Sequence, residues 1–204
     1  MLATGTKVEY ESGRRLIEQG AADDHAYLLL DGMVKVSIRD GNGHTALLGI
    51  RMAGDVVGEM GALEGSSRSA DVFTCGAVTA RVMTAADLRS VSRRHPDVAL
   101  GLVTMVGGRL RWANRRRLDA SSRDSRTRVA RVLYEVVRGY GTKKPTHWEI
   151  GVPLTQPEIA SLAGVRQRTV EKELRALEAA GILIRKYRRI DVGDLDALLR
   201  IANG

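Results

Sequence analysis

"LTQPEIASLAGVRQRTVEKELRALEAAGIL", residues 154–183, holds two helix-forming segments either side of Gly164. Thr155 and Glu158 have the spacing of a capping box. The threonine hydroxyl accepts from a free backbone N–H at the helix start, and the glutamate reaches back to the threonine's own N–H. A short helix should begin there, with Ala160 and Gly164 supplying the small side chains and tight turn that two crossing helices need. Val170, Leu174 and Leu177 fall at i, i+4 and i+7, so one stripe of the second helix is buried. Its opposite face carries Arg166, Gln167, Arg168 and Lys172.

Guanidinium and amide groups near the start of such a helix are suited to base edges in a major groove, so the segment reads as a helix-turn-helix. Beyond Gly181, "ILIRKYRRIDV", residues 182–192, predicts two short strands around a basic tip, a wing for phosphate contacts. The expected DNA-contacting residues are Thr155, Gln156, Arg166, Gln167, Arg168, Thr169, Lys172 and, in the wing, Arg188. Charge agrees with this division. Residues 1–107 carry 11 Lys and Arg against 13 Asp and Glu, net −2, and residues 108–204 carry 21 against 11, net +10. A basic excess confined to one half suggests a polyanion-binding unit joined to a near-neutral one.

Upstream, residues 5 to about 85 break into short runs rich in Val, Ile, Leu and Tyr, separated by Gly and Asp. "RDGNGH", residues 39–44, between "MVKVSI" and "TALLGI", predicts a hairpin turn. Strands at this spacing point to a small jelly roll. Thr84 is an N-cap candidate for a helix over 84–94, and Pro96 stands near the start of the next. In that next helix Ala99, Val103, Val106, Leu110, Ala113, Arg117 and Ala120 recur at alternating steps of four and three, a coiled-coil seam with one charged interruption. The seam predicts a dimer helix, with Gly107 and Gly108 weakening it or admitting another backbone. "DASSRDSRTR" marks a hinge at roughly 119–124. After it comes an amphipathic helix with Val129, Leu133, Val136 and Val137 inside and a glycine at its end.

The 204 residues, 44% hydrophobic and 27% charged, are ordinary for a globular protein of two compact units. No apolar run approaches a membrane span, and the N-terminus lacks the pattern of a secretory signal, so a cytoplasmic protein is expected. One cysteine, Cys75, in a strand-like run, permits no internal disulfide and reads as a small buried hydrophobe. No metal-spaced His/Glu pair, nucleophile elbow or phosphate-binding loop of the nucleotidase type appears, so an enzyme is not expected.

These segments, in this order and over nearly the whole length, resemble the cyclic-AMP receptor protein family, the Crp/Fnr regulators. The resemblance implies an α+β chain: a β-roll (jelly roll) cyclic-nucleotide-binding-like domain at 1–97, a dimerisation helix and hinge at 98–123, and a winged helix-turn-helix at 124–204. "GEMGALEGSSRSA", residues 58–70, matches the family's phosphate-binding cassette. By that match the ligand-binding residues are Gly58, Glu59, Met60, Gly61, Arg68, Ser69 and Ala70. Arg68 would pair with a phosphate, Ser69 would complete its shell, and Glu59 would accept from a ribose 2′-OH. A single ring phosphate needs such a fixed cation and unobstructed backbone donors. Replacing Arg68 is then expected to remove the ligand response and leave the fold intact.

Four positions, two in each of two helices, depart from the family pattern. Where cyclic-AMP-binding relatives read adenine with Thr and Ser, this sequence has Ala113 and Asn114; Asn114 is retained as a ligand-binding expectation because its amide can bond a purine edge. Gln167 and Arg168 stand where the best-known recognition helix has Arg and Glu. The function implied is a dimeric, sequence-specific transcription regulator on double-stranded DNA, controlled by a cyclic nucleotide, cAMP or cGMP, with no metal, no membrane and RNA polymerase as a further partner. The alternative is the same fold answering another effector, such as haem or a gas, or none. His25, His44, His95 and His147 are the available haem ligands.

Overall fold

The computed structural model describes residues 4–186 and 189–204. The expected wing contact Arg188 lies outside the described residues. The chain forms two compact units, Met1–Arg111 and Trp112–Gly204.

The first unit is the expected roll of two four-stranded antiparallel sheets. One has the order β1 (Thr6–Tyr10), β8 (Val78–Met83), β3 (Ala26–Asp31), β6 (Val56–Val57); the other β2 (Arg15–Ile17), β7 (Asp71–Thr74), β4 (Met33–Arg39), β5 (Thr45–Met52). The predicted hairpin joins β4 to β5, and the Asp40 carboxylate accepts from the backbone N–H groups of Asn42 and His44, both at 2.9 Å. Leu16, Ile17, Leu29, Val34, Val57, Val72, Val78 and Ala80 fill one core. A second core joins Ala26, Leu28, Val56 and Met83 to Leu88, Val91 and Leu102 of the helices that follow. Strand β3 contributes to both, Leu29 to one and Leu28 to the other, which is why "AYLLL" shows no apolar–polar alternation.

Helix α1 (Glu59–Glu64) interrupts the strands, and α2 (Ala85–Arg94) follows β8. Thr84 caps α2 as expected, in a full capping box with Asp87. Cys75 departs from expectation: it falls just after β7, half-buried instead of buried, because the strand has already turned away from the core.

Helix α3 runs Pro96–Ser122 without a break, through Gly107 and Gly108. Of its residues only Leu102 is buried, and the seam positions Val103, Val106 and Leu110 are exposed. A Cβ on either glycine would meet nothing but the Arg111 side chain, so neither marks a backbone approach within the chain. The division between the compact units falls inside this helix, at 111/112, not at the 97/98 and 123/124 limits expected from sequence. Leu102 and Arg109 pack with the roll, whereas Trp112 and Asp119 bond to residues of the second unit. The hinge expected at 119–124 shrinks to Arg123 and Asp124, since residues 119–122 are helical and the Asp124 side chain already caps the next helix.

In the second unit α4 (Ser125–Tyr140) buries Val129, Leu133, Val136 and Val137 as predicted, and packs against α5 (Gln156–Ala163), α6 (Gln167–Ala179) and α7 (Leu195–Asn203). A four-stranded sheet completes the unit, in the order β11 (Leu183–Lys186), β12 (Arg189–Val192), β10 (Trp148–Glu149), β9 (Thr142–Lys143). Strands β11 and β12 are the predicted wing. The β9–β10 pair and α7 were not predicted; Asp194, which caps α7 by accepting from Ala197 N–H at 2.8 Å, and the buried Leu198 and Ala202 were the available signals.

Candidate ligand cavity and nucleic-acid interface

Gly58 and Gly65 flank α1 in left-handed conformations, φ 79° and 71°, which bend the chain around residues 59–64. At Gly58 space is short as well: a Cβ would lie 2.8 Å from the His25 carbonyl oxygen and 3.0 Å from Arg68 Nη1. Gly61 is helical, but a Cβ there would lie 3.1 Å from the same guanidinium. Both glycines therefore make room for Arg68.

The seven residues expected to form the ligand cassette, Gly58, Glu59, Met60, Gly61, Arg68, Ser69 and Ala70, all line one cavity of about 270 Å³. Its remaining wall is largely apolar, with Ile17, Leu48, Val57, Val72, Val106 and Leu110, and with Arg51 and Arg109. Arg68 is 3% exposed and Glu59 4%. Glu59 Oε1 accepts from Arg109 Nη1 at 2.7 Å, and Arg109 Nη2 donates to the Val56 carbonyl at 2.6 Å. Arg68 donates to the Asp23 carboxylate and to the carbonyls of Gly58 and His25. The arginine beside Asp23 holds that carboxyl below the usual aspartate range. Neither Asp23 nor Arg109 was read as a site residue. Asn114 is exposed and is not among the lining residues, because the helix residues that reach the cavity end at Leu110.

These groups suit a small phosphate ester in type, with a buried guanidinium for charge, a buried carboxylate for a hydroxyl donor and an apolar wall for a flat ring. Arg68 is already paired with Asp23 and Glu59 with Arg109, which limits what each has free to offer.

The helix-turn-helix forms as read. Thr155 and Glu158 make a capping box at α5, with Thr155 N–H donating to Glu158 Oε2 at 2.7 Å. Gly164 ends α5 at φ 62°, and Val170, Leu174 and Leu177 are buried at no more than 1% exposure. Arg166, Gln167, Arg168 and Lys172 are exposed, and Thr169 is half-buried. Arg166 occupies the N-cap of α6 without a side-chain cap bond, and the Thr169 N–H donates to the Arg166 carbonyl at 2.9 Å. Gln156 differs from expectation. Its amide Nε2 donates to Glu171 on α6, because the two helices cross at that point.

In the wing, Asp191 is fully buried and accepts from Arg189 Nε at 2.7 Å and Lys186 Nζ at 3.1 Å, with His147 Nε2 3.6 Å away. Burial pushes this carboxyl upward, but the bonds from Arg189 and Lys186 more than offset it and hold it below the ordinary 3.8. An acid whose folded pKa is depressed adds stability above its unfolded value, and that stability is lost as pH falls through the folded one. The wing should therefore hold at neutral pH and loosen below pH 3.8, seen as a change in emission of Trp148, which pairs with Val192 beside Asp191. Asp191→Asn should flatten that profile; an unchanged acid transition would contradict the assignment.

The four histidines lie in separate places: His25 in the loop before β3, His44 beside Asp40 in the hairpin, His95 at the end of α2 and His147 beside Asp191. Among the described residues no group of three or more His, Cys, Asp or Glu side chains could hold a metal ion, and no helix is long and apolar enough to cross a membrane.

Comparison with known proteins matches both units. The profile of the cyclic nucleotide-binding domain covers residues 7–95 and that of the Crp-like helix-turn-helix domain residues 127–201. The CRP-like cAMP-activated global transcriptional regulator of Mycobacterium tuberculosis is 28% identical over 195 residues, 96% of this chain and 87% of its own. The cyclic AMP receptor protein of Thermus thermophilus is 29% identical over 199 residues, again 96% and 87%. A solved CRP/FNR-family transcriptional regulator, also from Thermus thermophilus, superposes with a TM-score of 0.82 over 98% of this chain and 99% of its own, at 22% identity, a likeness of fold. A roll matched by the cyclic nucleotide-binding domain profile, a long helix and a Crp-like helix-turn-helix, in this order, make this chain a member of the Crp/Fnr family of DNA-binding transcription regulators, which are not enzymes.

Proposed function

We propose that this regulator binds double-stranded DNA as a homodimer under the control of a cyclic nucleotide, cAMP or cGMP, held in the roll. The observation that carries the reading is the convergence of all seven cassette residues on one cavity whose buried charged groups are Arg68 and Glu59. Arg68 faces the phosphate and Glu59 the ribose hydroxyl. Leu110 and Arg109 bring α3 to the same cavity, so a ligand can bias that helix. Only a ligand that prefers one helix arrangement can drive a switch. The exposed apolar stripe of Val103, Val106 and Leu110 supports pairing of α3 with a second copy. The kinship with transcriptional regulators supports work in the cytoplasm alongside RNA polymerase. Calorimetric titration with cAMP and with cGMP tests the reading, and flat traces for both at millimolar ligand would refute it.

On the DNA side, Arg166, Gln167, Arg168 and Thr169 are assigned to base edges and nearby phosphates, and Lys172 to the backbone. Thr155 and Gln156 act through the fold of α5, one as its cap and the other through Glu171. Lys172→Ala should weaken binding to all sequences and lower the slope of log affinity against log salt by about one. Arg168→Ala should cost about 1–3 kcal/mol at a preferred site and relax sequence choice. Filter binding across a salt series distinguishes them: an unchanged slope for Lys172→Ala removes it from the phosphate contacts.

A further inference from the structure

The Arg68 guanidinium has five N–H groups to give. Nε donates to Asp23 Oδ1 at 3.2 Å and Nη2 to the same oxygen at 2.5 Å. Nη2 also donates to the His25 carbonyl at 2.5 Å, and Nη1 to the Gly58 carbonyl at 2.7 Å. One N–H, on Nη1, is left for anything in the cavity. We infer that Asp23 is an affinity-determining residue of this site: its carboxylate stands against Arg68 as a ligand phosphate would, and an anionic effector binds only in competition with it. The inference rests on the reading of the cavity as a phosphate-ester site.

The charges around the cavity agree. Arg68 is balanced by Asp23, and Arg109 by Glu59 at 2.7 Å and Asp55 at 3.6 Å. The third lining cation, Arg51, donates Nη1 to the Ile50 carbonyl at 2.7 Å. A cyclic phosphodiester carries one negative charge, as Asp23 does. Exchanging one for the other on the same guanidinium means that the loss of the Asp23 bonds offsets part of what the phosphate gains from Arg68. Protonation does not relieve the competition, since Arg68 holds the Asp23 carboxyl below the usual range and it stays ionised at neutral pH. Displacement does: the Asp23 side chain is 40% exposed and can turn to water while Arg68, 2% exposed, stays in place. Asp24 next to it is 3.9 Å from His25 Nδ1 and has no bond to Arg68.

The test is calorimetric titration of the full-length protein, Asp23→Asn, Asp23→Ala and the neighbouring control Asp24→Asn with cAMP and cGMP. Neutralising Asp23 frees charged donors of Arg68 and should tighten nucleotide binding on the order of tenfold, with Asp24→Asn unchanged. Circular dichroism melts confirm that each variant is folded, and the two Asp23 variants back each other. Binding by the unmodified protein that is matched or weakened in both Asp23 variants overturns this inference and leaves the effector reading standing. Equal gains in Asp24→Asn also overturn it, by showing a general charge effect. Flat traces in every variant overturn both.

Discussion

Leu133→Ala is expected to lower the stability of the C-terminal unit by about 3 kcal/mol and to leave the roll folded. Leu133 is fully buried on α4, the helix that packs against α5, α6 and α7. Truncating a fully buried side chain leaves a cavity that a close-packed interior collapses only in part. Both tryptophans, Trp112 and Trp148, lie in the unit from residue 112 onward, so their fluorescence reports on that unit alone. Urea titration followed at the tryptophans should show a midpoint displaced to lower denaturant, while the cyclic nucleotide binding proposed for the roll is unaffected and DNA affinity falls with the folded fraction. A tryptophan transition that does not move would show that α4 is not the hub of its unit.

Arg68→Ala is expected to bring the heat of cyclic nucleotide titration to baseline and, in addition, to destabilise the roll by about 2 kcal/mol. The second effect adds to the expectation from sequence that the fold stays intact: it should stay intact but become less stable. The guanidinium ties the loop before β3 to the cassette, and without it the Gly58 and His25 carbonyls lose their side-chain donor, at about 1–3 kcal/mol for each group left buried without another. The half-exposed Asp23 rehydrates and adds little. Arg68→Lys separates the roles, since an ammonium keeps the charge but cannot span three acceptors from one planar fork. It should recover more binding than stability. Thermal melts with and without ligand read both, and a variant as stable as the parent would show that the bonds of Arg68 are not structural.

Much of the fold was legible because its signals are local. A capping box spans four residues: Thr155 formed its box as read, and Thr84, read only as an N-cap, formed one with Asp87. The stripe of α4 and the hairpin over residues 39–44 were likewise set by side chains within one or two turns of chain. The short β9–β10 pair passed unnoticed because two-residue strands carry no periodicity to detect. The hinge was read too long, since serine and aspartate were taken as breaking a helix that in fact persists to Ser122. Local propensity is weak, and packing of Trp112 and Asp119 with α4 overrides it.

The candidate site divides in the same way. Its membership came from the resemblance of residues 58–70 to the family's cassette, and the seven residues named there line one cavity. What each charged group faces was not legible in that stretch. Arg68 meets Asp23 across 45 residues and Glu59 meets Arg109 across 50, and in both cases the partner is one of many acids or bases that could have been chosen. By itself the sequence determined the capped starts of α2 and α5, the hairpin turn, the buried stripe of α4 and the charged face of α6, because hydrogen bonds and side-chain faces set by near neighbours depend on little beyond their spacing. Only the tertiary structure decided that the cassette arginine is already engaged by an aspartate, since a pairing between distant residues exists only after two sheets have packed and brought the loop before β3 against α1.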